Sequence, residues 1–266
     1  MIRQAYLAYS TDAATRWQAS SGGFTKSLLC YLLDTHRVDA VLIATVGQAG
    51  FAPEFIITQD PQVIRSRQTS SVYYPVDPFV KAAELREDWT YATTLLPCQV
   101  DRLRQLQARG QWGNIRVVVE LFCNYTPTPA WTDQQLATLG MSRESLRAFY
   151  YRGEGWPGNM LAVSDEATAR IAFTKCWVND VEAHGLLRCR TCSRCWGDSD
   201  VVVGDPWWLR KGVGAGKTLV GVQTAMMSQL VQHAAAAGYL VLEDISPEAF
   251  ERCAGPYRAR KQRRQP

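Results

Sequence analysis

"WTYATTLLPCQVDRLRQLQARGQWGNIRVVVELFCN" (residues 89–124) carries the clearest statement of fold in the chain. It opens on a short apolar, β-branched run, "WTYATTLLP", which reads as a buried strand. "QVDRLRQLQARG" follows at once with helical periodicity, and Gly110 is its stop signal. "NIRVVVELFCN" is then a second buried strand. Strand, helix and strand in this order predict an α/β unit. Each of the two strands runs into a cysteine, Cys98 and Cys123. In open α/β sheets the carboxyl ends of strands are where ligands bind.

Working outward, "AYLAYST" and "DAVLIATVG" read as strands around the helix "FTKSLLCYLLD", and "PEFIITQD" as a strand ahead of a helix "PFVKAAELRED". "PAWTDQQLATLG" and "SRESLRAFYY" are expected to be helices, and "RGEGWPGN" a loop. Toward the end, "KTLVGVQT" and "YLVLEDIS" are strands on either side of the helix "AMMSQLVQHAAAAG". The expected fold class is α/β, a mixed β-sheet flanked by helices, with an irregular cysteine- and glycine-containing region. No repeat or long linker divides it, so residues 1–257 are expected to form a single domain.

Composition narrows the class. A hydrophobic fraction of 47% with 20% charged residues is that of a globular protein, not a disordered one. No apolar stretch has the length of a membrane span, and the first residues lack the apolar core of a signal peptide, so the expected location is cytoplasmic. The net charge of +4 is concentrated at the end, in Arg258, Arg260, Lys261, Arg263 and Arg264. Without them the chain is close to neutral, and residues 258–266 are expected to be a basic, disordered tail.

Eight cysteines without a secretory signal argue against a disulfide framework. Three of them, Cys189, Cys192 and Cys195, stand at C-x-x-C-x-x-C spacing in "LLRCRTCSRCWGDSDVVVGD" (residues 186–205). That spacing opens a ferredoxin-type run, but the fourth position is Ser199. Either a remote cysteine completes a site, or one of the three is a bystander. Thiolates suit zinc and iron–sulfur iron alike, and Cys176 is a possible fourth ligand for zinc. A zinc-stabilised module that uses its basic tail on nucleic acid is thus an alternative reading.

"SSGG" (residues 20–23) sits directly before a helix, where backbone N–H groups can meet a phosphate. "GVGAGKT" (residues 212–218) is not a phosphate loop of the G-x-x-x-x-G-K-[ST] kind. Its first glycine would have to be residue 211, which is Lys211, and a strand follows instead of a helix. His36, His184 and His233 are isolated, and no nucleophile elbow is present.

Six motifs in order resemble one known family. They are "SSGGFTKSLLCYLL", "QTSSVYYP", "LLPCQVDRLR", "VVELFCN", "YRGEGWPGN", and "CRTC" followed by "SDVVVGDPWW". The family is that of the beta subunits of coenzyme F420 hydrogenases and dehydrogenases, which are flavin and iron–sulfur proteins. The resemblance runs over roughly residues 18–250, with Ser70 standing where a glycine is usual.

It implies one FAD and at least one [4Fe-4S] cluster, passing electrons between an iron–sulfur partner and a two-electron acceptor. Carried over by motif, the flavin contacts are Ser21, Gly22, Gly23, Thr25, Ser71 and Tyr73, with Arg152, Gly153, Trp156 and Gly158 completing the pocket and Asp205 a weaker candidate. The metal ligands are Cys98, Cys123, Cys189 and Cys192, with Cys195 as an extra thiol or an alternative ligand. No catalytic residue follows from the resemblance. Many relatives carry an N-terminal ferredoxin-like segment, whereas here the Ser-Gly-Gly turn arrives by residue 20. Electrons are therefore expected from a separate hydrogenase or dehydrogenase subunit. A stand-alone flavin reductase of a small or pigment substrate is the other reading.

Overall fold

The computed structural model describes residues 2–47, 50–176, 180–209 and 213–264. Among them run strands β1 (Gln4–Ser10), β2 (Ala40–Thr45), β3 (Glu54–Thr58), β4 (Tyr91–Leu95), β5 (Ile115–Leu121), β6 (Ala148–Tyr150), β7 (Asn159–Val163), β8 (Thr168–Ala172), β9 (Val201–Gly204), β10 (Thr218–Val222) and β11 (Leu240–Asp244). Eight form one mixed sheet in the order β11-β1-β10-β9-β5-β4-β2-β3. Its centre is parallel: β4 pairs with β2 and β5, and β5 pairs with β9. Antiparallel strands extend it on both sides. The expected class, a mixed sheet flanked by helices, is the observed one.

The parallel centre forms because its strands are apolar on both faces. Val117 and Val119 belong to one core cluster, while Val118 between them belongs to another. The Phe24–Asp34 and Ala225–Ala236 helices cover the first face through Leu28, Leu32, Leu230 and Val231. The Pro97–Gln107 helix covers the opposite face through Val100 and Leu103. Phe250 and Cys253 of the Pro247–Gln262 helix cover the neighbouring part through contacts with Val202 and Leu219.

Parallel pairing brings the carboxyl ends of β2, β4, β5 and β9 to one edge. Asp200 locks that centre. Its Oδ2 accepts from the Val118 N–H at 2.8 Å, and its Oδ1 accepts from the Thr224 hydroxyl at 3.2 Å.

Three expectations about elements are corrected. Residues 142–151 are not a helix: a 3-10 turn at Arg143–Ser145 leads into β6, which pairs antiparallel with β7. Phe149 and Tyr151 are buried on either side of the less buried Tyr150, and this strand alternation, completed by β7, overrides local helix propensity. The resulting three-stranded sheet β6-β7-β8 was not anticipated. "PFVKAAELRED" forms only a 3-10 helix, Pro78–Glu84.

The third correction concerns the basic end. Residues 258–262 continue the Pro247–Gln262 helix, and Lys261 is only 1% exposed. The tail is ordered because its cations have partners. Arg258 stacks on Trp196 and pairs with Glu251, and Arg264 reaches Asn124. Gln265 and Pro266 lie outside the described residues, as do Lys211 and Gly212 of the glycine turn before β10. Among the described residues no helix is long and apolar enough to cross a membrane.

Candidate functional site

A cavity of about 600 Å³ opens at the carboxyl edge of the parallel strands. One end is built by the start of the Phe24–Asp34 helix. Gly23 is its N-cap at φ 76°, a left-handed conformation that suits glycine, and it offers no side chain to the first N–H groups. Gly22 is wedged beneath. A Cβ there would lie 2.5 Å from the Ala8 carbonyl oxygen and 2.6 Å from the Thr218 nitrogen. Ser21 donates its hydroxyl to the Lys217 carbonyl at 2.6 Å, fixing the turn to β10. Ser21, Gly23, Thr25, Ser71, Tyr73 and Arg152 all line the cavity, whereas Gly22, Gly153, Trp156 and Gly158 stand behind its wall.

The Arg-Gly loop explains that division. Arg152, 2% exposed, forms a two-pronged pair with Asp205: Nη1 donates at 2.7 Å and Nη2 at 3.3 Å. Its Nε donates to the Pro157 carbonyl, and its guanidinium lies 4.3 Å from the Phe173 ring centre. Burial opposes the charge, but Asp205 and Tyr73 together outweigh it and the Arg152 pKa rises. The Trp156 indole N–H also donates to Asp205, at 3.0 Å. Gly155 and Gly158 adopt positive φ, and the loop is tied to the Trp17 and Gly214 carbonyls. The loop is thus a rigid brace that delivers one cation and Asp205 to the wall.

The other end holds the cysteines. Cys98 lies in the first turn of the Pro97–Gln107 helix just after β4, and Cys123 lies two residues past β5. Because β4 and β5 are parallel neighbours, both arrive at one edge. "CRTC" meets them there. Burial raises the Cys98 thiol, Arg188 opposes that, and charge on Cys192 and Cys189 raises it further. Cys123 is pushed up to about 12, by burial first, with Cys189, Cys98 and Cys192 adding to it against Lys261. Those four thiols therefore share one electrostatic neighbourhood. The Thr126 N–H donates to Cys189 Sγ at 3.5 Å, and Lys261 Nζ donates to Cys192 Sγ at 3.5 Å.

Burial raises Cys195 to about 12, opposed by Arg258, Lys261 and Arg260 and reinforced by Glu120, so it shares Lys261 with Cys98 and Cys123. Cys176 is packed in the apolar cluster around β6 and β7, donating to the Phe173 carbonyl, so it does not join the other thiols. Among the described residues no three Cys, His, Asp or Glu side chains converge on one point as ligands of a single ion do.

Cys123 and Arg188 line the same cavity as Ser21, Tyr73 and Arg152, so the two ends are continuous. Several wall residues escaped the sequence reading. Lys26, within the Ser-Gly-Gly motif, is 6% exposed. Burial lowers its pKa to about 7. Its Nζ donates to the Arg65 and Ser66 carbonyls. Its place on the first turn of an otherwise apolar helix was the available signal. Tyr257 and Arg260 reach the cavity from the C-terminal helix, and nothing in a basic tail announces that.

A family model for the C terminus of the coenzyme F420 hydrogenase/dehydrogenase beta subunit matches residues 88–248. The corresponding N-terminal model matches residues 5–83. Among solved structures, a chain of the F420-reducing [NiFe] hydrogenase complex from Methanosarcina barkeri, studied by xenon derivatization, has a similar fold. Its TM-score is 0.73 at 17% identity, over 98% of this chain and 90% of that one. With both halves of the chain matched in order, it belongs to the coenzyme F420 hydrogenase/dehydrogenase beta-subunit family, a family of oxidoreductase subunits.

Proposed function

We propose that this chain is a flavin and iron–sulfur subunit that passes electrons between an iron–sulfur partner and a two-electron acceptor. The observation that carries this reading is the continuity of one cavity from the Ser-Gly-Gly helix start to Cys123. FAD and a [4Fe-4S] cluster would supply hydride and single-electron chemistry respectively.

The residues present fit both groups. At one end, uncapped N–H groups of an eleven-residue helix, the Ser21 turn and the Lys26 ammonium favour a diphosphate. Tyr73, Phe173 and Trp207 offer apolar ring surface for a flat heterocycle. At the other end, Cys98, Cys123, Cys189 and Cys192 supply four thiols. A four-iron cluster takes one thiolate per iron, so its ligands surround a cage and need not converge on one point. Arg188 and Lys261 beside them offset thiolate charge.

The chain's own contribution is to bind and orient. Asp205 and Arg152 fix the wall, while Lys26 holds a cation against the cavity. The partner would be another subunit of a hydrogenase- or dehydrogenase-type complex, in line with the assembly named for the similar fold.

Anaerobic purification followed by flavin, iron and acid-labile sulfide analysis tests the reading. A brown protein with flavin and four irons supports it, and Cys→Ser changes at 98, 123, 189 and 192 should each remove iron. Zinc without iron, in a colourless protein, overturns it.

A further inference from the structure

The C-terminal helix brings a fully buried cation to the cysteines. Lys261 is 1% exposed, and its Nζ lies 3.5 Å from Cys192 Sγ. Its charge also acts on Cys98, Cys123 and Cys195. Three residues later the chain is clamped again: Arg264 donates to the Asn124 carbonyl at 2.6 Å, to its Oδ1 at 2.8 Å and to the Cys189 carbonyl at 3.5 Å. Asn124 follows Cys123 directly, so Arg264 ties the loop bearing Cys123 to the loop bearing Cys189.

An ammonium buried against a neutral thiol is expensive, because desolvation is then repaid by one weak acceptor. The same ammonium against an anionic thiolate group is favourable. Hydrogen bonds to ligand sulfurs and local charge are also levers that set the potential of an iron–sulfur group.

We infer that Lys261 is a positioning residue for the cysteine site: it supplies the buried counter-charge for the thiolates and raises the reduction potential of the cluster they hold. This rests on the cluster assignment proposed above. Adding one electron makes the site more negative by one charge, so a fixed cation nearby stabilises the reduced form over the oxidised one. The basic end of the chain is in this light a cover for the cysteine site, not an arm for an external polyanion.

The test uses the full chain, purified anaerobically, as wild type, Lys261→Met and Lys261→Arg. Iron and labile sulfide are measured first, then the midpoint potential by electron paramagnetic resonance during redox titration. The expected result is a downward shift in Lys261→Met with iron retained, and a potential near wild type in Lys261→Arg. Loss of iron in Lys261→Met with full retention in Lys261→Arg supports the counter-charge equally. An unchanged potential in an iron-loaded Lys261→Met protein overturns the inference and leaves the cluster reading intact. Loss of iron from both variants also overturns it, since packing and not charge would then be decisive. A wild type without iron overturns the cluster reading itself, and the inference with it.

Discussion

Arg152 and Lys26 are both buried cations lining one cavity, and they are held in opposite ways. Arg152 is paired in two-pronged fashion with a carboxylate, stacked on Phe173 and bonded to a carbonyl, and its charge is reinforced. Among the described residues Lys26 meets just the carbonyls of Arg65 and Ser66, and burial brings its pKa down to about 7. The first cation is spent on the scaffold. The second remains poised, with charge that an anion entering the cavity would stabilise. A buried charge with a complete set of partners builds a wall, and one with an incomplete set is where binding is to be sought.

The largest effect should come from breaking the completed pair. Asp205→Ala leaves the Arg152 guanidinium buried without its carboxylate and strips a partner from Trp156, a loss of roughly 3–5 kcal/mol. Chemical denaturation of the variant measures it. A loss below about 1 kcal/mol would mean that the pair is not the brace described here.

Next comes the loop that carries Arg152. Gly158 has φ 87°, and a Cβ there would lie 2.6 Å from the Gly153 carbonyl oxygen. Gly158→Ala should therefore cost about 1–3 kcal/mol, read as a lowered melting temperature.

Lys26 gives a smaller effect with a diagnostic sign. Its folded pKa is lowered to about 7, below the ordinary lysine value, so between these values the unfolded chain binds more protons. Stability contributed by the neutral form therefore grows as pH rises from about 7. Over pH 7 to 8.5 the wild type should gain roughly 1–2 kcal/mol relative to Lys26→Met, a comparison in which every other titrating group is common to both proteins. Parallel curves for the two proteins would show that Lys26 is not held as a depressed cation. With FAD added, the order at pH 7 should shift toward wild type, as ligand charge restores the ammonium's partner.

The smallest change is expected at Cys195, the extra thiol of the C-x-x-C-x-x-C run. Cys195→Ser should leave iron content as in wild type, while Cys192→Ser should not. Equal iron loss in both would move the ligand pair to Cys192 and Cys195.

Much of the fold was legible because the signals were local. Apolar runs on both faces announced β2, β4 and β5, and the Phe24–Asp34 helix carries a long apolar run that is buried all round. The short strands β6, β7 and β8 were missed for the complementary reason. Three to five residues carry little periodicity, and pairing partners decided their state.

The site shows the same division. The sequence by itself determined which residue types were available: thiols in a fixed pattern, small residues before a helix, and an arginine–glycine loop. Only the tertiary structure decided which of them meet. Parallel pairing of β4 with β5 brought Cys98 and Cys123 to one edge, within electrostatic reach of Cys189 and Cys192. It also paired Arg152 with Asp205 in the cavity wall, and folded Lys261 onto the cysteines. Spacing along the chain fixes neighbours within a turn or two, whereas the cost of burying unpaired charge fixes partners that are fifty or more residues apart.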